Sequence, residues 1–270
     1  MGPDISRLLR ALRAPEFKYR DLQAPIRRSR TRDRAPRPRL LIVAVSSLDR
    51  GVGRTTLAAN LAAAAGQRRE RAAAVDLDPR NELRLHFRAQ PAIAPQDADE
   101  LVRWSERSVG YVPFGRDPAA VIEALSDRSG VVFLDTPAEA SPALEQALAE
   151  ADEVLVPVRA ESAAAEKVRA IEALLARWRR PAWRRTRARY VVNLFDGRRR
   201  ADRESLAQVR SLVGARLVAQ PVQQDEALRV ALAHGRCVQD EAPGSQVVAD
   251  LEKIVDDLLP PRGRAAKDVS

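Results

Sequence analysis

Ser47-Leu-Asp-Arg-Gly-Val-Gly-Arg-Thr-Thr56 follows the apolar run Leu40 to Val45 and opens the alanine-rich segment Leu57 to Ala65. A glycine-rich turn between a buried strand and a helix aims backbone N–H groups and a helix N-terminus at one point, which suits a phosphate chain. The usual phosphate-loop pattern is glycine, four residues, then Gly-Lys-Ser/Thr. Here Leu48 stands at the first glycine and Arg54 at the lysine, while Gly51, Gly53 and the hydroxyls of Thr55 and Thr56 remain. By itself the stretch fits a degraded phosphate loop and an ordinary strand-to-helix turn equally well.

Two further segments separate these readings. Ala72 to Val75 is a short apolar run ending in Asp76-Leu-Asp-Pro79, and Val131 to Leu134 is another, ending in Asp135-Thr-Pro137. Each reads as a buried strand carrying carboxylates at its C-terminal tip. Ligands of an open parallel sheet bind outside the carboxyl ends of the strands, so three such tips can share one crevice. Carboxylates beside a phosphate loop supply the hard oxygen ligands that Mg²⁺ takes. Strand-end aspartates also serve as turn formers and helix caps; three tips in the required order favour the site.

With these motifs the chain resembles the deviant Walker ATPases of the ParA/MinD type. The resemblance runs from about Leu40 to Leu259, through Asp76-Leu-Asp-Pro79, Leu134-Asp-Thr-Pro137, Ala151-Asp-Glu-Val-Leu-Val-Pro157, Val191-Val-Asn-Leu-Phe195 and Pro221 to Gly235. Within that superfamily it is similar to the BcsQ/YhjQ branch found with bacterial cellulose synthase, on Asn81-Glu-Leu-Arg-Leu-His-Phe87, Tyr111-Val-Pro-Phe-Gly115 and Gln224-Asp-Glu-Ala-Leu228.

The resemblance implies ATP and Mg²⁺ as cofactors. Backbone N–H groups of Gly51, Val52, Gly53, Arg54 and Thr55 would wrap the β- and γ-phosphates, with Thr56 near the α-phosphate. Thr55 would ligate Mg²⁺ and Asp135 would hold its hydration shell; Asp76 and Asp78 would lie beside the γ-phosphate, the second positioning the attacking water. Asn193, Pro221 and Val222 take the adenine-side positions. The family's signature lysine, which crosses a dimer to the partner's phosphates, is replaced by Asp49, and Arg50 beside it is the substitute cation. Arg54 keeps the charge of the cis lysine on a larger, planar, forked group that need not fit the same slot. Charge stabilisation is the main contribution of a protein to phosphoryl transfer, so turnover is affected more than binding. The implied molecule is an ATP-dependent, dimerising regulator of the cellulose-secretion machinery, with slow or absent hydrolysis.

Composition agrees with a cytoplasmic protein. The 270 residues are 45% hydrophobic, enough for one large core with appendages. One cysteine, Cys237, excludes an internal disulfide framework, and two histidines, His86 and His234, make a His-rich metal site unexpected. Neither a signal peptide nor an apolar run of membrane-spanning length is present. The net charge of +9 is concentrated in residues 1–39, which hold 12 Lys/Arg against 4 Asp/Glu, leaving 34 against 33 elsewhere.

The expected organisation is an N-terminal segment 1–24, an Arg/Pro-rich linker 25–39, an ATPase domain 40–260 and a tail 261–270. Ile5, Leu8, Leu9 and Leu12 recur at helical spacing among Arg7, Arg10 and Arg13, followed by Phe17, Tyr19 and Leu22. This segment resembles the short BcsR/BcsP-type sequence that accompanies cellulose-synthesis ATPases. It is expected to dock on its own or a neighbouring core, the alternative being anionic lipid.

The domain is expected to be α/β, with a doubly wound, mainly parallel sheet covered on both faces. Its strands fall at 40–45, 72–75, 109–113, 131–134, 154–158, 190–195 and 216–221, and its helices at 57–65, 118–125, 144–150, 163–178, 203–213 and 247–259. A rival function is a ParA-like partition or positioning protein. Arg177, Arg179, Arg180, Arg184, Arg185, Arg187 and Arg189, interleaved with Trp178, Trp183 and Tyr190, form a stretch able to neutralise DNA phosphates. The same arginines also read as solvation of a loop above packed tryptophans. A MinD-like membrane cycler would need the N-terminal helix, because the tail from Pro260 to Ser270 has no apolar face.

Overall fold

The computed structural model describes residues 40–68, 71–88, 103–104, 109–127, 129–139, 141–178, 187–218 and 220–259. The N-terminal segment, the linker, the tail and residues 179–186 of the arginine-rich stretch lie outside the described residues.

Seven strands form one sheet: β1 (Leu41–Val45), β2 (Ala72–Asp76), β3 (Arg103–Trp104), β4 (Val109–Val112), β5 (Val131–Asp135), β6 (Glu153–Arg159) and β7 (Arg187–Asn193). Their order is β3-β4-β2-β5-β1-β6-β7. All pairings are parallel except that of the two-residue edge strand β3 with β4. The chain leaves β1, builds outward through β2 and β4, then returns to insert β5 between β2 and β1. Register sets Val45 opposite Asp135 and Asp76 opposite Asp135, so the tips of β1, β5 and β2 end level at one crevice. Beyond β1 the sheet continues through β6 and β7, which places the crevice where the strand order reverses.

The helices are α1 (Arg54–Gln67), α2 (Pro118–Leu125), α3 (Pro142–Glu150), α4 (Ala164–Trp178), α5 (Arg200–Val213), α6 (Glu226–Ala233), α7 (Val238–Glu241) and α8 (Gln246–Leu258). Side chains alternate across the strands. Val43, Val45, Ala72, Ala74, Val131 and Phe133 pack with α1, α6, α7 and α8, while Ile42, Ala44, Ala73, Val75, Val132 and Leu134 pack with α2 to α5. Strands buried on both faces explain why LIVAV, AAAVD and VVFLD are near-continuous apolar runs rather than alternating ones.

Helix α1 is buried from Leu57 through Gly66, because the sheet covers one side and α7 and α8 cover another. An all-round apolar helix must be enclosed in this way. Its alanines, facing the alanines of β2, let the two backbones approach closely. Turns follow ordinary chemistry: Asp117 caps α2 through the N–H of Ala120, Ser141 caps α3 through that of Leu144, and Asp225 caps α6 through that of Ala227. Asp225 thus acts as the N-cap of α6.

The run 216–221 is not a strand. Gly214–Arg216 is a 3₁₀ turn, and beyond it only Leu217 and Gln223 make isolated bridges to Tyr190 and Phe195. The N–H groups of Val218 and Val222 donate to Tyr190 and Val192, but Pro221 between them has no donor, so a continuous ladder cannot form. Beyond the expected strands and helices the structure adds β3, α6, α7 and a 3₁₀ turn at Leu83–Phe87. Among the described residues no helix is long and apolar enough to cross a membrane.

One buried amide joins α1 to α7. Asn60 Nδ2 donates to the Thr56 carbonyl at 2.7 Å, and its Oδ1 accepts from the Val238 N–H at 2.7 Å. Gln239 Nε2 completes the joint on the Asn60 carbonyl at 2.8 Å. Asn60→Ala leaves the Val238 donor buried without a partner, and urea unfolding is expected to show a loss of about 1–3 kcal/mol.

Candidate functional site

The turn between β1 and α1 is shaped by two left-handed glycines, Gly51 at φ +72° and Gly53 at φ +83°. Gly53 is the N-cap of α1, and no side chain caps that helix end. The first-turn N–H groups are therefore available to an anion in the crevice. Gly51 is exposed and Val52 buried, whereas Thr55 and Thr56 lie half-buried in the first turn. A Cβ on Gly53 would come within 2.4 Å of Asn193 Nδ2, so a side chain here would displace that amide in addition to straining the left-handed backbone.

Asn193 ends β7, and its Nδ2 donates to the Val52 carbonyl at 2.7 Å. Its Oδ1 is buried without a partner. Val222 spends both backbone groups on pairing, its N–H on Val192 and its carbonyl on Phe195, and half-buried Pro221 has no N–H to offer. Of the three positions expected on the adenine side, Asn193 alone presents an unused side-chain polar atom.

Three carboxylates meet at the strand tips in different states. Asp135 is wholly buried and neither oxygen makes a hydrogen bond of good geometry. Burial pushes its carboxyl up to about 7, against the lowering influence of the Thr55 hydroxyl and the Arg54 guanidinium. Asp76, also wholly buried, accepts from the Asp78 N–H at 3.1 Å and the Leu83 N–H at 3.2 Å. Burial, then the neighbouring Asp135, pushes it up to about 8. Asp76 therefore shapes the turn that carries Asp78. Burial also works to raise Asp78, but Arg80 and then Arg54 outweigh it and hold that carboxyl below the usual range.

Asp78 is gripped by Arg80. Nε of Arg80 lies 3.1 Å from Oδ1 and Nη2 lies 2.8 Å from Oδ2, while the Arg80 backbone N–H donates to Oδ1 at 3.0 Å. Arg54 faces the same carboxylate with Nη2 3.6 Å from Oδ2.

Arg54 does not reach outward as a phosphate-loop lysine does. It is 4% exposed, and its guanidinium turns back on the protein. Nε donates to the Thr136 carbonyl at 3.0 Å, and Nη1 donates to Ser47 at 3.1 Å and Asp49 at 2.6 Å. A planar fork satisfies three carbonyls at once, which a point-like ammonium on the same stem would not. Arg50 is exposed and paired with Glu139 of the segment after β5, and Asp49 pairs at 2.8 Å with Lys167 of α4. Arg50, the expected cross-dimer cation, and Asp49, which takes the place of the signature lysine, thus both have partners within their own chain.

The structure brings together Gly51, Val52, Gly53, Arg54, Thr55, Thr56, Asp76, Asp78, Asp135 and Asn193. Sequence reasoning passed over Arg80, Lys167 and Glu139. Arg80 carried a local signal, two residues after Asp78; Lys167 and Glu139 carried none, since only packing sets them against the loop. His86 and Cys237 are both buried under α1 with no link to the strand tips, as packing residues should be.

Gly53→Ala is expected to lower stability and abolish anion binding at the loop, measured by unfolding and by titration with a fluorescent nucleotide. The raised carboxyls also set a pH dependence. At neutral pH folded Asp76 and Asp135 retain protons that the unfolded chain has released, so folding stability falls as pH rises from about 4 to about 8. The thermal midpoint of the nucleotide-free protein should drop across that window, and Asp135→Asn should flatten the decline.

A family model described as the CobQ/CobB/MinD/ParA nucleotide binding domain matches residues 43–238. The chain is 30% identical over 235 residues to the chromosome-partitioning ATPase Soj of Thermus thermophilus, covering 80% of this chain and 94% of that one. Its fold matches the septum site-determining protein MinD of Pyrococcus horikoshii, complexed with Mg-ADP, at a TM-score of 0.68 and 18% identity, covering 85% of this chain and 100% of that one. It also matches cobyrinic acid a,c-diamide synthase of Mycobacterium smegmatis, with bound ADP and magnesium, at 0.66 and 19% identity, over 82% and 94% of the two chains. The glycine turn at the tip of β1, the carboxylates ending β2 and β5, and the match across residues 43–238 make this chain a member of the MinD/ParA nucleotide-binding family.

Proposed function

We propose that the chain is an ATP-binding, ATP-dependently dimerising accessory protein of bacterial cellulose synthesis and secretion, whose hydrolysis is slow or absent. The observation that carries the nucleotide part is Asp135, a buried carboxylate without hydrogen-bond partners beside the Thr55 hydroxyl and an uncapped helix N-terminus. A hard divalent cation fits that donor set. Thr55 and Asp135, the latter through water, would hold Mg²⁺, which supplies charge stabilisation to the phosphates. Loop N–H groups bind the β- and γ-phosphates, and Asn193 Oδ1 is an acceptor for the adenine amino group.

Slow turnover follows from the cations. Arg54 already serves three backbone carbonyls, and Arg50 is held by Glu139, so neither is poised on a transferring phosphoryl group. Asp78, the water-positioning candidate, is forked by Arg80. The cellulose assignment rests on the resemblance of Asn81–Phe87, Tyr111–Gly115 and Gln224–Leu228 to the BcsQ/YhjQ branch. On that reading the chain works at the cytoplasmic side of the inner membrane with cellulose synthase components. Residues 1–24, joined to the domain by a linker at 25–39, are a BcsR/BcsP-like segment that docks on the core of its own or a neighbouring ATPase.

The second reading is a partition or positioning ATPase that binds DNA without sequence preference. The 30% identity to Soj favours it, together with the arginines from Arg177 to Arg189. A salt-sensitive DNA shift abolished by replacing Arg184 and Arg185 would support this second reading. Capture of cellulose synthase subunits without a DNA shift would support the first. Flotation of the full chain and of a chain lacking residues 1–24 separates docking from lipid binding.

Light scattering after size exclusion is expected to show a dimer with Mg²⁺-ATP and a monomer with Mg²⁺-ADP or no nucleotide. Phosphate release on the same samples should stay below about 10⁻² s⁻¹. Asp135→Asn should weaken Mg²⁺-dependent ATP binding by about 10–100-fold with little effect in the absence of the metal. A constant mass with no bound nucleotide would refute the ATP reading.

A further inference from the structure

We infer that the cleft between α1, the 3₁₀ turn at Leu83–Phe87, β4 and residues 235–240 is a binding site for a small planar carboxylate, an apolar ring body carrying one acid group. None of the lining residues is among those that meet at the strand tips, so the site is separate from the crevice and does not rest on the nucleotide reading.

The cleft has a volume of about 420 Å³, within the range of small-molecule pockets. Ala63, Phe87, Val109 and Cys237 supply apolar lining. Phe87 is stacked on Tyr111, with ring centroids 5.4 Å apart and planes 19° from parallel, so its ring is a fixed, flat wall. Beside them His86 and Gln239 are 3% and 2% exposed, and each keeps a polar atom without a hydrogen-bond partner, Nδ1 of His86 and Oε1 of Gln239. The Gln239 amide is already oriented, since its Nε2 donates to the Asn60 carbonyl at 2.8 Å. A packing fault lined only by apolar groups stays dry and stable. Lining side chains with unspent hydrogen-bonding capacity mark a cleft completed by an occupant.

The exposed edge of the cleft selects the charge. Arg88 and Arg236 stand there against one acid, Asp240, and burial holds the His86 imidazole down at about 4, so that ring is neutral near pH 7. The lining therefore carries net positive charge. Arg88 is anchored through Nε on the His234 carbonyl at 2.9 Å, and its stem lies against Gly235, where a Cβ would fall 2.8 Å from Arg88 Cγ. A guanidinium held through Nε keeps two Nη groups for a carboxylate. The Arg236 side chain is 45% exposed, and its Nη1 stands 3.5 Å from Glu241, a weak pair that leaves it able to turn to a ligand. Asp240 at the same edge disfavours a dianion, so a carboxylate fits better than a phosphate.

The test uses the full chain with isotopically labelled histidine. His86 and His234 are its only imidazoles, and His234→Gln assigns their signals. Naphthoate, the neutral naphthalenemethanol and naphthyl phosphate are titrated in turn near pH 7, where His86 does not change protonation. Naphthoate should move the His86 signals saturably, with a dissociation constant of about 1 mM or below. The alcohol and the phosphate should each bind about tenfold more weakly. Arg88→Gln and Arg236→Gln should each weaken naphthoate by about three- to tenfold and leave the alcohol unchanged. Ala63→Met, which fills the cleft from α1, should abolish the shift for every probe, with its thermal midpoint showing that the chain is folded.

No movement of His86 with any probe would overturn the site and leave ordered water as the partner of the two orphan atoms. Naphthoate shifts unchanged in folded Ala63→Met would also overturn it, since binding would then lie elsewhere. Equal affinity for the alcohol or the phosphate, or binding indifferent to both arginine substitutions, would overturn the carboxylate. Should Ala63→Met unfold, the arginine variants, altered at exposed side chains, still decide the outcome.

Discussion

The guanidinium of Arg54 is the contact on which the geometry of the crevice depends. It is buried at the first residue of α1 and reaches the carbonyls of Ser47 and Asp49 at the start of the loop, Thr136 at the tip of β5, and the carboxylate of Asp78 beyond β2. Three strand tips and one helix are therefore referred to a single side chain. Burial works against the charged form of Arg54, and Asp135 and Asp78 oppose that effect. Removing one partner of such a buried set costs about 3–5 kcal/mol, because the remaining charges lose their compensation. The residue that a phosphate would ordinarily engage is here part of the architecture.

That use of Arg54 changes the meaning of the other loop residues. Asp49 is held by Lys167 and by the Ser47 hydroxyl, Arg50 by Glu139, and the Val52 carbonyl by Asn193. The loop is braced from α4, from the segment after β5 and from the end of β7. A preorganised loop loses less entropy when it binds a ligand.

The carboxylates are set apart by their surroundings. Asp76, Asp78 and Asp135 sit on neighbouring tips, yet burial and hydrogen bonding give each a distinct state. Asp135 lacks partners, Asp76 is committed to two backbone N–H groups, and Asp78 is committed to Arg80. Environment rather than residue type gives three aspartates at one crevice three different states.

The sequence by itself determined the α/β class, six of the seven strands, the glycine turn and the convergence of Asp76, Asp78 and Asp135. These are carried by local apolar runs, by turn residues and by the rule that parallel strands end at one edge. It also marked the departure at Arg54, because a loop motif is read residue by residue. The edge strand β3 and helix α7 were too short to leave a period, and the run at 216–221 was misread because Pro221 breaks the ladder its apolar residues imply. Only the tertiary structure decided that Arg54 points inward, that Lys167 and Glu139 answer Asp49 and Arg50, and that Val222 pairs with β7. Each of those contacts joins residues separated by tens of positions in the chain. The direction of a long side chain is set by whichever carbonyl or carboxylate packing brings within reach, and no local pattern encodes that.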